Sequence, residues 1–189
     1  LGITFGDDST PGVDVIVPDP AFIEERRKNL LGIVLTHGHE DHIGAVPYLW
    51  GKFRCPVYAT PFTAALLRKK MEMDGAELSV DIIEVPLKGK FDVGPFSLEL
   101  ITLTHSMPEP NALAVRTPLG TIFHTGDWKF DPDPVIGEVS DFDSLQALGD
   151  EGVLASIGDS TNVFVDGVSG SEAPLRENLT EIIGKCTGQ

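Results

Sequence analysis

Apolar positions along the chain fall into short runs rich in valine and isoleucine, and these alternate with stretches of helical spacing. Residues 13–17 (VDVIV) predict a strand. Residues 20–29 predict a short helix, with Arg26, Arg27 and Lys28 near its C-terminus, where cations complement the helix dipole. Residues 32–36 predict a buried strand, and an apolar helix follows over about 42–49. Residues 57–59 form another strand. Thr60 then Pro61 is an N-cap followed by proline at the first helical position, opening a helix to about Met73. Further strands are predicted at 80–85 and 97–104. Residues 112–117 and 120–124 predict a hairpin turning at Pro118, Leu119 and Gly120. A helix near 142–148 precedes a strand at 153–157, and 171–185 predicts an amphipathic helix. Strands interleaved with helices favour a layered α/β fold.

A length of 189 residues suits one domain with a real core. With 41% hydrophobic and 23% charged residues the chain reads as globular rather than disordered. No apolar run approaches the ~20 residues that cross a bilayer, so no membrane partner is expected. Cys55 and Cys186 lie far apart without paired spacing, which points to a reducing compartment such as the cytoplasm. The formal net charge of −15 argues against a surface that grips nucleic acid by neutralising phosphates. The opening residues Leu1-Gly2-Ile3-Thr4-Phe5 read as the middle of a strand, with no initiator methionine or charged leader, so a piece of a longer protein is expected.

Chemistry concentrates in LTHGHEDHIG, residues 35–44, which holds three of the chain's five histidines. Crowded imidazoles repel when protonated and lose solvation when buried, unless a cation shares them. His37 and His39 stand at i, i+2 after a strand, so extended backbone would point both rings the same way. Asp41 and His42 follow where the chain turns into a helix, placed to face a second ion, and Gly38 and Gly44 let the backbone turn closely. Imidazole with carboxylate suits zinc and, less tightly, manganese. Other strands end in kind: one closes on Thr104-His105, one on Gly126-Asp127 and one on Gly158-Asp159. Catalytic groups in layered α/β proteins gather beyond strand ends. His124 reads as a supporting hydrogen-bonding group. Asp159, Ser160, Thr161 and Asn162 read as turn chemistry or as a contact near substrate.

The H-x-H-x-D-H pattern resembles the metal signature of the metallo-β-lactamase superfamily. The combination of PGVDVIVPD, HGHEDHIGAVPYL, THSMP, HTGDWKFDP and GDSTN is similar to the ribonuclease J family, a branch carrying an inserted β-CASP domain. That resemblance implies an αββα sandwich, here its incomplete N-terminal portion: a metallo-β-lactamase domain over residues 1–170, and a helix over 171–189 leading towards the inserted domain. It implies that His37, His39 and His105 hold one divalent ion, Asp41 and His42 the other, and that Asp127 bridges both. Asp41 and Asp127 would be catalytic, and a hydroxide between two metal ions would attack RNA phosphodiester bonds, in endonuclease or 5′-to-3′ exonuclease mode. Zinc is favoured over manganese, RNA is the expected partner, and a dimer or tetramer of the full-length protein is a family expectation. The family's last ligand histidine follows the insertion, and no histidine lies beyond His124, so low activity is expected of this piece alone. The family's aspartate before the first Leu-Gly has no counterpart. The alternatives are a hydrolase of thioesters or lactones on the same scaffold, or a catalytically silent metal-binding fragment.

Overall fold

The computed structural model describes residues 1–73 and 80–187. One sheet is parallel, in the order β3 (Ile33–Val34), β4 (Val57–Ala59), β5 (Ile82–Glu84). Parallel neighbours need crossover connections. Here these carry α2 (Glu40–Ile43), α3 (Val46–Phe53) and α4 (Pro61–Met73). Ile43, Val46, Ala64, Leu67 and Met71 of those helices pack with Leu35, Val57 and Ala59 into one core cluster. A second cluster joins Ile3, Ala45, Leu49, Phe53 and Cys55, where Cys55 packs as a buried small hydrophobe.

The larger sheet has five strands in the order β10-β9-β8-β7-β6. Four of them, β6 (Lys90–Val93), β7 (Phe96–Thr102), β8 (Asn111–Thr117) and β9 (Gly120–His124), form an antiparallel meander. After β9 the chain crosses through α5 (Phe142–Glu151), which makes β10 (Ala155–Ile157) parallel to β9. Asp141 caps α5 by accepting the Ser144 N–H at 3.0 Å. Leu145 and Leu148 of α5 pack on Ile101, Leu103, Ala112 and Ala114, the outward face of β7 and β8. The opposite faces meet the parallel sheet: Tyr58 of β4 stacks on Phe91 of β6 with centroids 5.3 Å apart. The order helix, sheet, sheet, helix is a partial αββα sandwich. A two-stranded ribbon, β1 (Thr4–Phe5) with β2 (Val15–Ile16), and α1 (Ala21–Glu25) complete the N-terminal part, and α6 (Ala173–Gly184) comes last.

Several local outcomes differ from the sequence pattern, among them the helix predicted over 20–29, whose α-helical part ends at Glu25 and gives way to a 3-10 turn over Arg27–Asn29. The helix predicted over 42–49 is two helices, broken at Gly44 and Ala45. Pro47 near the start of α3 has no N–H to continue the first ladder, and a side chain at Gly44 would put its Cβ 2.4 Å from the Glu40 carbonyl oxygen. The strand predicted over 32–36 pairs at two residues only, because the chain leaves the sheet to present the histidines. Strand β6 has no counterpart among the predicted elements, although Lys90-Phe91-Asp92-Val93 alternates polar and apolar. Helix α6 forms where the periodicity places it, yet none of its residues is buried. Residues 188–189 of the predicted C-terminal segment lie outside the described residues.

Candidate metal centre

Each candidate ligand sits just beyond a strand or at the first turn of α2. His37 and His39 follow β3, His42 lies within α2, His105 follows β7 and Asp127 follows β9. The loops are fastened to one another. Asn111, at the start of β8, donates its N–H to the Thr36 carbonyl at 3.1 Å and its Nδ2 to the same oxygen at 3.3 Å. Gly126 adopts φ +59°, and a Cβ there would lie 2.8 Å from the Asn111 carbonyl oxygen, so only glycine lets the Asp127 loop pass so close. Lys129 donates its N–H to the Thr104 carbonyl at 2.8 Å, and Thr104 donates its own to Ser140 Oγ at 2.9 Å.

The result is a cluster of imidazoles. The His37 ring centroid lies 5.0 Å from His39, 4.0 Å from His42 and 5.1 Å from His105. Ligand atoms of His37, His39 and His105 fall within 4.8 Å of one another, and so do those of His37, His42 and Asp127. His39 Nδ1 and His105 Nε2 are 3.1 Å apart. Asp127 turns one oxygen to each side: Oδ1 is 3.2 Å from His42 Nε2 and Oδ2 is 3.9 Å from His105 Nε2. Asp41 is outside both groups, with Oδ2 3.5 Å from His42 Nε2 and a side chain 67% exposed.

His37 supplies the test of whether these residues fit an ion. Its side chain is fully buried, Nδ1 lies 3.1 Å from Thr36 Oγ1, and Nε2 has no hydrogen-bond partner. Burial, reinforced by the neighbouring His42, His105 and His39, lowers its pKa to about 2, so the ring is neutral. In either tautomer Nε2 is a buried polar atom without a partner, and in the one that donates from Nδ1 to Thr36 it presents a bare lone pair. A buried acceptor left unpaired is costly and rare, and a divalent cation satisfies it. Burial, then the charge of His39, lowers the His105 pKa as well, against the opposing pull of Asp127. Imidazoles and a carboxylate are a donor set that fits zinc or manganese.

The model of the metallo-beta-lactamase superfamily matches residues 8–174. The chain belongs to this superfamily. Ribonuclease J of Sinorhizobium meliloti is 45% identical over 188 residues, which is 100% of this chain and 33% of that protein. Ribonuclease J of Thermus thermophilus is 39% identical over 195 residues, covering 100% of this chain and 34% of the relative. The chain therefore spans about a third of the length of the curated relatives it matches. Among solved structures, a protein of unknown function from Enterococcus faecalis superposes with a TM-score of 0.57 at 18% identity, over 80% of this chain and 38% of that one. That likeness supports the fold alone.

The remaining candidates in this metallo-β-lactamase domain divide by position. His124 is in neither ligand group; its Nδ1 accepts the Gly126 N–H at 3.0 Å and so shapes the turn before Asp127. Asp159 Oδ1 accepts the Thr161 N–H at 2.8 Å and its hydroxyl at 2.7 Å, bonds that lower the Asp159 pKa. That is turn chemistry, but Asp159, Ser160 and Asn162 also line a cavity of about 960 Å³ with His105 and Asp127. No helix among the described residues is long and apolar enough to cross a membrane.

The neutral state of His37 carries a pH prediction. Its folded pKa is depressed, so below about pH 6.5 the unfolded chain binds a proton that the folded chain does not. Stability is therefore full above that pH and is lost as pH falls towards the folded value of about 2. In chelator, the unfolding free energy from urea titrations should drop by about 1 kcal/mol between pH 6.5 and 5.5 from this group. A stability that rises on acidification would contradict a neutral buried His37.

Proposed function

We propose that the protein is a metal-dependent ribonuclease that hydrolyses RNA phosphodiester bonds, endonucleolytically, in the 5′-to-3′ exonuclease mode or both, in the cytoplasm. The observation that carries the reading is Asp127, whose two oxygens face the two overlapping histidine groups, in a chain 45% identical to a ribonuclease J. When bound, two divalent ions, with zinc favoured and manganese accepted, would polarise the phosphodiester and make water a nucleophile at neutral pH. His37, His39 and His105 would hold one ion, and His42 the other with Asp41, whose carboxylate lies 3.5 Å from His42 Nε2. Asp127 would fix the spacing between the two groups. Thr36 Oγ1 would fix the His37 ring through its contact with Nδ1, and Asn111 holds Thr36. The acidic charge is met at the site by the cations themselves.

The test supplies the intact protein with a 5′-monophosphorylated RNA, and in parallel with a small thioester and a lactone. RNA cleavage that chelator abolishes and added zinc or manganese restores is expected, with two metal ions per chain by elemental analysis. Cleavage indifferent to chelator, or thioester turnover faster than RNA cleavage, would overturn the assignment.

A further inference from the structure

Three exposed aromatic rings run outward from the candidate metal centre. Trp128 follows Asp127 directly; its ring centroid is 4.6 Å from that of Phe130, which is 5.0 Å from Phe142. Trp128, Phe130 and Phe142 are 39%, 50% and 56% exposed, although rings of this size contribute most when buried. Trp128 and Phe130 line the same cavity of about 960 Å³ as His105 and Asp127, and Phe142 extends the row beyond it.

The backbone builds this row deliberately. Lys129 bridges to Thr104 in antiparallel register, so Trp128 and Phe130 flank it at i, i+2 and share one face. Lys129 turns to Asp131 and Glu172, each 3.3 Å from its Nζ. The Asp131 side chain is fully buried and also accepts the N–H groups of Asp133 and Glu172 at 3.0 and 2.9 Å. Burial opposes its ionisation, but hydrogen bonds from Ser171, Asp133 and Glu172, with Lys129 alongside, hold its carboxyl well below the usual range. The strand segment behind the rings is thus anchored while their outer faces stay open.

Charge decides what can lie there. Away from Asp127 the cavity is lined by Asp159, Asp166 and Glu172 against Lys129, whose ammonium is already shared by two carboxylates. Among the described residues that line this wall, phosphate neutralisation has no free lysine or arginine. An aromatic face offers a contact that needs none, because every nucleobase stacks.

Building on the nuclease reading, we propose that Trp128, Phe130 and Phe142 form a stacking platform for unpaired bases of single-stranded RNA beside the bond to be cleaved. Affinity then comes from bases where the acidic wall rejects phosphates, and sequence preference along this stretch is weak.

Dissociation constants of the intact protein in chelator, for labelled oligoadenylate and for an abasic strand of the same length, test this without relying on turnover. Trp128→Ala should weaken oligoadenylate binding by about 5- to 150-fold, the range expected for loss of one stacked base. Binding of the abasic strand should stay within twofold, Trp128→Phe should recover most of the loss, and the salt dependence should not change. Equal weakening of both strands, or no weakening of either, overturns the platform. A parent protein that binds oligoadenylate tightly while Trp128 is indifferent removes the platform alone. A parent that neither binds nor cleaves RNA removes the nuclease reading with it.

Discussion

Asp127→Asn should lower metal-dependent RNA hydrolysis by about a thousand-fold. The substitution keeps the shape of the side chain but replaces one of two oxygens with an N–H donor and removes the charge. In the parent, Oδ1 lies 3.2 Å from His42 Nε2 and Oδ2 lies 3.9 Å from His105 Nε2. An amide presents a donor to one of these groups, and a donor repels a cation. Removing a single group that stabilises transition-state charge typically costs 10²- to 10³-fold. Asp127 faces two groups, so the upper end is expected, and metal content should fall below two per chain. Fold is not at stake, because the side chain is partly exposed and lies in a loop held by backbone bonds of Gly126 and Lys129. Hydrolysis within tenfold of the parent would mean that Asp127 does not span two ions.

The candidate ligands were legible because most of them are local. His37, His39, Asp41 and His42 lie on six consecutive residues, and any fold that ends a strand there gathers at least the imidazoles. His105 and Asp127 were legible through a second regularity: the chain repeats Leu-Thr-His and Gly-Asp at strand ends, and the sandwich brings those ends to one rim. What could not be read was support from far along the chain. Asn111 reaches Thr36 across 75 positions, and nothing in either segment announces the pairing. The same holds for Phe142, which joins Trp128 and Phe130 only because α5 returns across the sheet. Asp41 shows the opposite limit. Its place in the motif singles it out, but the structure leaves its carboxylate mostly exposed and outside both ligand groups. Among the elements, the break at Gly44 was written in Pro47, while β6 was too short for its alternation to stand out.

A centre built this way should cost the metal-free fold stability, and a paired substitution exposes the cost. His37 is fully buried with Nε2 unpartnered, while its Nδ1 pairs with Thr36 Oγ1. Changing His37 alone would strand the Thr36 hydroxyl, so the informative variant is Thr36→Val with His37→Leu, which replaces both partners by apolar groups of similar volume. Removing a hydrogen-bonded pair in this way is nearly neutral, and removing an unsatisfied buried acceptor gains about 1–3 kcal/mol. In chelator, urea unfolding should therefore find the variant as stable as the parent or more so, and the acid sensitivity below pH 6.5 should be reduced. Metal reverses the order. At a free ion concentration a thousand-fold above the dissociation constant, the parent gains about 4 kcal/mol through linkage and the variant gains far less. Such a crossing of the two stability orders, with and without zinc, is what a ligand site held ready at the expense of the empty fold predicts. A variant that is less stable in both conditions would show that His37 serves packing rather than an ion.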